Sequence, residues 1–333
     1  MEDQPQSSLR KGLLYGVAAY GLWGLVPLYF HAVGAARPEQ ILAHRVVWSV
    51  VFLAGLVQFK RRWSDLRQCL LSRQTAWALL LSSILIAGNW FIYIYGISTH
   101  QVLQTSLGYF INPLVNVLLG LIFFRERLRI GQWIAVALAT AGVIYLALGS
   151  EQFPWISVAL GFTFAFYGLV RKLVRVDSLM GLSVETLFLL PLALGAQIYW
   201  TIEGQAALGT VDWRLDVLLI LSGIVTAIPL LFFGAAARLL PMSTLGFLQY
   251  LAPTLQFILA ITFFGEPFES TKLVSFLCIW IALAIYSVDA GLAFRARRKE
   301  AAMVNSDAKR QAGEEGYFLK ISPKKSFIAC QER

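Results

Sequence analysis

Ten long apolar segments follow one another along the chain, separated by short polar stretches. They run for about 20 residues without alternation, whereas a strand of a membrane barrel needs only about ten residues in an alternating pattern. The pattern therefore predicts ten membrane-spanning helices, at about residues 12–33, 40–59, 76–97, 102–124, 131–149, 154–172, 180–201, 215–237, 243–264 and 271–293. Residues 294–333 are polar and charged, and we expect a tail outside the membrane.

Two of these segments repeat each other. The stretch 106–128 returns about 140 residues later as 244–268, with a Leu-Gly pair, a proline and a Phe-Phe-x-Glu sequence in both copies. The prolines, Pro113 and Pro253, are expected to break their helices, because proline removes a backbone donor and frees a carbonyl. Paired halves with interrupted hydrophobic segments are typical of transporters.

The charges of the loops indicate how the two halves are related. The sequence after the fourth span is Arg-Glu-Arg-Leu-Arg, whereas its counterpart after the ninth span is Gly-Glu-Pro-Phe-Glu. Lys and Arg accumulate in cytoplasmic loops, so the loss of arginine places the second loop outside. We therefore expect an all-α membrane protein of two inverted five-helix repeats, residues 12–149 and 154–293, with Glu126 and Glu266 at opposite faces.

Composition and charge support this interpretation. Hydrophobic residues make up 58% of the chain and charged residues 14%, whereas a soluble domain is about 25% charged. The net charge of +9 could indicate nucleic acid, but Lys and Arg cluster in alternate loops, as the positive-inside rule requires. We expect no nucleic-acid partner and a cytoplasmic location for both the N-terminal residues 1–11 and the C-terminal tail.

The sequence carries no pattern of catalytic or metal-binding residues. The three cysteines and three histidines are scattered over separate segments, without metal spacing. Phosphate-loop and nucleophile-elbow sequences are absent. We expect no enzymatic activity, no metal and no cofactor.

Several short motifs are distinctive enough to compare with a family. They are His44–Ser49, Gly88–Trp90, Leu107–Glu126, Phe164–Lys172, Glu185–Pro191 and Leu245–Glu266. Together they cover about residues 10–292, and they resemble the RarD proteins, a branch of the EamA family within the drug/metabolite transporter superfamily. The resemblance implies ten helices in two inverted halves and solute permeation across the bacterial inner membrane.

Three ionisable residues lie inside predicted spans, where a charge is costly and is expected to have a structural or functional role. His44 and Arg45 lie near the outer end of the second span. Arg45 can either extend to the headgroups or serve a substrate or gate. Glu185 can either bind a coupling proton or be held by a neighbouring arginine or backbone donor. Because adjacent residues diverge by about 100° on a helix, His44 and Arg45 are not expected to share one cavity.

Polar and aromatic side chains complete the candidate pathway. The polar candidates are Asn89, Asn112, Asn116, Gln249, Tyr250 and Gln256. They can either form interhelical hydrogen bonds or line a central path beside the two prolines. The aromatic candidates for stacking on a solute are Trp23, Trp90, Tyr93, Tyr95 and Tyr167, for which packing against lipid is the commoner alternative.

The expected function is that of a secondary transporter that moves a small polar or amphipathic metabolite or drug by alternating access. Proton coupling is left open. The alternatives are an uncoupled, channel-like facilitator and a non-transporting membrane protein. The expected partners are a small-molecule solute and membrane lipid, with protons and a second copy of the chain as open candidates.

Overall fold

The computed structural model describes residues 6–99, 101–148, 153–265 and 273–292, and the regular elements of this part of the chain are all helices. In order they are α1 (Gln6–Ala32), α2 (Pro38–Phe59), α3 (Trp63–Leu71), α4 (Arg73–Ser98), α5 (Val102–Phe123), α6 (Ile130–Leu148), α7 (Trp155–Leu173), α8 (Ser178–Ile202), α9 (Trp213–Leu239), α10 (Met242–Gln249), α11 (Leu251–Thr262) and α12 (Leu273–Leu292).

Most of these helices are built to cross a membrane. In the part of the chain that the structure describes, nine helical segments are long and apolar enough to do so, with α10 and α11 counted together. The apolar part of α5, Leu107–Phe123, is slightly shorter. The prediction of an all-helical membrane protein is confirmed. Helix α3 was not predicted, because its nine residues are too polar to span and lie in a segment expected to be a loop.

The packing of the helices shows a relationship between the two sets of five spans. Helix α1 packs against α9 and α11, while α7, its counterpart five spans later, packs against α4 and α5. Helix α2 likewise packs on α9 as α8 packs on α4, and α2 and α8 contact each other. This pattern belongs to the compact unit Met1–Leu283; the second unit, Ala284–Arg333, is described only through residue 292, where α12 ends. The packing is consistent with two related halves.

Positive charge is concentrated at one end of the bundle. We call the end at which α1 begins the lower end, and the end at which it finishes the upper end. In the described segments, the upper end carries Arg37 and Arg214. The lower end carries Arg10, Lys11, Lys60, Arg61, Arg62, Arg67, Arg73, Arg125, Arg127, Arg129, Arg171, Lys172, Arg175 and Arg238. The predicted tail and Glu266 lie outside the described residues.

An arginine and an aspartate join α3 to α8 at the lower end. Arg62 Nη2 donates to Asp177 Oδ2 at 2.7 Å, and Asp177 also accepts from the backbone N–H groups of Leu179 and Met180 as the N-cap of α8. Burial alone would raise the pKa of Asp177, but these hydrogen bonds hold that pKa below its usual value. The same hydrogen bond, with a second to Asp65, raises the pKa of Arg62.

The fourth and ninth spans, which repeat each other and share a proline, differ at that proline. The ninth span breaks at Tyr250, between α10 and α11, three residues before Pro253. Helix α5 instead runs through Pro113 without a break, so the predicted interruption there is wrong. Neighbouring helices hold it: Asn112 Nδ2 donates to the Gly161 carbonyl at 2.6 Å, and a Cβ on Gly246 would lie 2.6 Å from the Pro113 carbonyl oxygen. The helix is therefore packed closely on both sides where it passes through Pro113, and it continues there despite the missing backbone donor.

Candidate functional site

A cavity of about 180 Å³ lies between the two sets of spans. Helices α1, α2, α4 and α5 line it from the first set, and α7, α9, α10 and α11 line it from the second. On α1, the residues that line the cavity run from Tyr20, in the middle of the helix, to Phe30, two residues before its upper end. The cavity therefore occupies the centre and the upper half of the bundle.

Aromatic rings make up much of the cavity wall. They are Tyr20, Trp23, Phe30, Trp90, Tyr93, Tyr109 and Phe164. For Trp23, Trp90 and Tyr93, the sequence analysis gave packing against lipid as the commoner alternative. It did not single out Tyr20, Phe30, Tyr109 or Phe164. A signal was present in α1, because Tyr20, Trp23, Pro27 and Phe30 follow one another at intervals of three and four residues. That spacing places them on one face of the helix.

Arg45 supplies the cationic group of the cavity. Its Nε donates to Thr226 Oγ1 at 2.7 Å, and its guanidinium carbon lies 5.0 Å from the ring centroid of Trp90 and 5.7 Å from that of Phe30. Thr226 is 13 residues into α9, about 20 Å from the upper end at 1.5 Å per residue. The side chain is thus directed into the bundle and does not extend to the headgroups.

Amide side chains tie the cavity wall together. Asn112 is bound to α7 through the Gly161 carbonyl, and its Oδ1 accepts from Asn116 Nδ2 at 2.9 Å. Asn116 Nδ2 also donates to Gln249 Oε1 at 3.2 Å, which links α5 to α10. Asn112 and Gln249 line the cavity, whereas Asn116 lies behind them, 1% exposed. This network both holds helices together and forms part of the wall.

Two more amides connect the wall to its neighbours. Asn89 Nδ2 donates to the Leu160 carbonyl at 3.0 Å and to Thr163 Oγ1 at 2.9 Å, joining α4 to α7. Gln256 Nε2 donates to the Trp23 carbonyl at 3.1 Å, joining α11 to α1. Both side chains line the cavity. The two alternatives left open by the sequence, interhelical bonding and cavity lining, are therefore combined in the same residues.

The structure gathers part of the predicted site and leaves the rest elsewhere. Arg45, Asn89, Asn112, Gln249, Pro253 and Gln256 line the cavity, but His44, Tyr95, Pro113, Asn116, Tyr167, Glu185 and Tyr250 do not. His44 is buried beside Arg45 on a different face of α2, as expected for adjacent helical residues. Tyr95 packs against Trp155, with ring centroids 5.8 Å apart, and Tyr250 donates its hydroxyl to the Phe110 carbonyl at 3.3 Å.

An aromatic cluster lies between the cavity and the lower end. Phe233 packs against Tyr20, Trp23, Phe164 and Tyr167, with ring centroids 5.2–6.2 Å apart. Tyr20, Tyr167 and Phe233 are each 1% exposed. These rings join α1, α7 and α9, and they form the floor of the cavity.

A buried ion pair lies below this floor. Arg171 Nη1 is 3.4 Å from Glu185 Oε1, and both side chains are 1% exposed. Ser82 donates to Glu185 Oε1 at 2.6 Å and Tyr167 donates to Glu185 Oε2 at 3.3 Å. Glu185 is therefore held by an arginine and two hydroxyl groups, which connect α4, α7 and α8. In this conformation it is separated from the cavity.

Comparison with known proteins identifies the family of the chain. The EamA-like transporter family matches residues 10–148. Protein RarD of Escherichia coli K12 is 45% identical over 281 residues, which cover 84% of this chain and 95% of that protein. The chain belongs to the RarD branch of the EamA family. An uncharacterized transporter of Vibrio cholerae is 46% identical, covering 88% of this chain and 97% of its own.

Two further comparisons concern a more distant relative and the fold. The chloramphenicol-sensitive protein RarD of Pseudomonas aeruginosa is 36% identical, over 87% of this chain and 97% of that protein. A solved crystal structure covers 83% of this chain and 97% of its own with a TM-score of 0.65 and 18% identity, which supports the fold alone. Membership of this family indicates a multi-pass inner-membrane transporter of the drug/metabolite type, not an enzyme. Among the described residues, no cluster of metal-ligating side chains is present.

Proposed function

We propose that this RarD-family protein is a secondary transporter that moves a small polar or amphipathic metabolite or drug through the cavity by alternating access. The observation that carries the proposal is the position of the cavity, whose wall is shared by helices of both sets of five spans. Because both sets line the cavity, a movement of one set relative to the other would change the shape and the access of the cavity.

The proposed orientation has the lower end in the cytoplasm, with both termini there, because positive charge is concentrated at that end. The cavity then lies toward the periplasm. The aromatic floor and the Arg171–Glu185 pair form the closed cytoplasmic side. To release solute inward, α1, α7 and α9 must separate at the floor.

Glu185 is the proposed proton-binding group. Its charge is balanced by Arg171 at 3.4 Å, so a proton on the carboxylate removes the attraction that holds α7 to α8. Loss of that attraction weakens the closed cytoplasmic side and leaves the arginine charge uncompensated. Proton binding at Glu185 and opening of the inner side are thus linked in this proposal.

Flux through reconstituted vesicles tests the function. The purified chain is incorporated into proteoliposomes, a broad metabolite panel is supplied, and uptake is measured with and without an imposed proton gradient. We expect at least one solute to accumulate above its external concentration when the gradient is present. Equilibration without accumulation would favour a channel-like facilitator, and uptake no faster than in empty vesicles for the whole panel would contradict transport.

A further inference from the structure

The cavity contains a cation without an anionic partner. Besides the bond from Nε to Thr226, the guanidinium of Arg45 makes no hydrogen bond to a described residue, so both terminal Nη groups are without an acceptor. The residues that line the cavity include no aspartate or glutamate. A charge inside a membrane protein is costly unless something compensates it. Here the protein supplies two aromatic faces, the hydroxyl group of Thr226 and the nearby side chains of Tyr29, Tyr93 and Tyr109, and none of these is a carboxylate.

The geometry around Arg45 also indicates which group would complete it. Phe30 and Trp90 lie within about 6 Å of the guanidinium, the range of cation–π attraction, but ring faces cannot accept its remaining directional hydrogen bonds. The planar guanidinium presents parallel N–H bonds that match the two oxygens of a carboxylate. Thr226 occupies Nε and thereby fixes the orientation of the plane.

The remainder of the wall suits a small, flat and unsaturated body. Seven aromatic side chains line the cavity, and Gln249 and Gln256 add amide groups from α10 and α11. The volume of about 180 Å³ is below the roughly 300–1,000 Å³ of sites that enclose drug-sized ligands. The space therefore favours a solute of about one ring over a larger drug.

We propose that the solute is a small organic acid, with its carboxylate on the Nη groups of Arg45 and a flat aromatic or conjugated body against Trp90 and the aromatic face of α1. This inference rests on the proposed function, because it takes the cavity as the transport site. It adds the chemical class of the solute and gives Arg45 the role of binding its charge.

Three matched probes separate charge from shape: benzoate, its neutral analogue benzamide, and the non-planar cyclohexanecarboxylate. Binding to the purified full-length protein in nanodiscs is measured by calorimetry at pH 7.5. We expect benzoate to bind more tightly than either analogue. Arg45→Gln should weaken benzoate binding roughly ten- to a hundredfold, the loss expected for charge-assisted hydrogen bonds, and should leave benzamide binding unchanged. Arg214→Gln, at the upper end and outside the cavity, is the control and should bind benzoate as the wild type does.

Several results would overturn the inference: no benzoate binding by the wild type, equal affinity for benzoate and benzamide, or benzoate binding that is unchanged in Arg45→Gln. If Arg45→Gln does not fold, Arg45→Lys keeps the charge without the planar fork, and benzoate binding as tight as that of the wild type would contradict the bidentate geometry.

The vesicle flux assay keeps the two proposals distinguishable. Transport of panel solutes without any benzoate binding would overturn only the assignment of the solute class. Arg45-dependent binding of benzoate without flux of any solute would overturn transport while supporting the anion site.

Discussion

Arg171 has room for its buried guanidinium because two glycines face it. A Cβ on Gly181 would lie 1.7 Å from Arg171 Nη1, and one on Gly234 would lie 2.9 Å from Nη2. Three helices thus contribute to the ion pair and its surroundings. Arg171 lies on α7, its partner Glu185 lies on α8, and the second glycine, Gly234, lies on α9. At this scale the packing at the lower end of the bundle depends on the absence of side-chain atoms at the two glycines as well as on the charges of the ion pair.

The first prediction concerns this space. Gly181→Ala places a methyl group where Arg171 Nη1 lies, so the buried guanidinium must leave its present position, and overpacking of this kind costs about 1–3 kcal/mol. We expect a lower midpoint of thermal unfolding in detergent. Gly195→Ala is the matched control on the same helix, since no atom lies within 4 Å of its Cβ, and it should unfold no earlier than the wild type. Equal midpoints for both variants would argue against the described position of Arg171.

The second prediction concerns the carboxylate itself. Glu185→Gln keeps the shape of the side chain but can no longer gain and lose a proton. If Glu185 carries the coupling proton, uptake driven by a proton gradient falls to the level of empty vesicles while exchange of solute across the membrane continues. Glu39→Gln, an exposed acid paired with Arg37 at 3.5 Å, is the control and should retain both activities. Gradient-driven uptake that survives in Glu185→Gln removes the residue from coupling.

Among the helices, the turn between α9 and α10 is held by two opposite charges. Lys172 Nζ donates to the Ala237 carbonyl at 3.1 Å and to the Leu240 carbonyl, at the C-terminal end of α9. Glu126 accepts from the backbone N–H groups of Met242 and Ser243 at the start of α10. Each charge has the sign that the helix dipole favours at that terminus. The glutamate of the first Phe-Phe-x-Glu sequence therefore anchors the beginning of the span that repeats its own.

The third prediction tests this anchor. Glu126→Ala leaves two backbone donors and the Ser243 hydroxyl without their acceptor, and each buried unsatisfied group costs about 1–3 kcal/mol. We expect faster amide hydrogen exchange in α10 than in the wild type. Glu203→Ala removes an exposed acid at the end of α8 and should leave the exchange of α10 unchanged. Identical exchange in the two variants would show that Glu126 does not hold this turn.

At the scale of the whole molecule, the separation of charge between the ends predicts how the bundle is oriented in the membrane. The described lower-end segments carry many basic residues and the upper-end segments only two, and from this bias the positive-inside rule predicts a cytoplasmic lower end. With five spans expected in each half, an odd number, we expect the two halves to be inverted relative to each other.

The fourth prediction tests this orientation by labelling. In a variant without native cysteines, Thr210→Cys places a thiol in the exposed loop between α8 and α9, and Gln68→Cys places one on exposed α3. A membrane-impermeant maleimide added to spheroplasts should label position 210 at once and position 68 only after permeabilisation. The reverse order would contradict the proposed orientation.

The sequence by itself determined the all-helical membrane class, the approximate position of each span and the repeat between the fourth and ninth spans. These properties are local, because the length of an apolar run and the distribution of lysine and arginine do not depend on which helices become neighbours. The family motifs were likewise readable along the chain.

Only the tertiary structure decided which side of each helix meets the cavity. Arg45 turns toward Thr226, 181 residues away in sequence, and Glu185 is held by Ser82, 103 residues away. Pro113 does not break α5, which packs closely against α7 and α10 at this point. A partner distant in the chain leaves no periodic signal in the local sequence, and so the different surroundings of Arg45 and Glu185 became apparent only once the helices were packed.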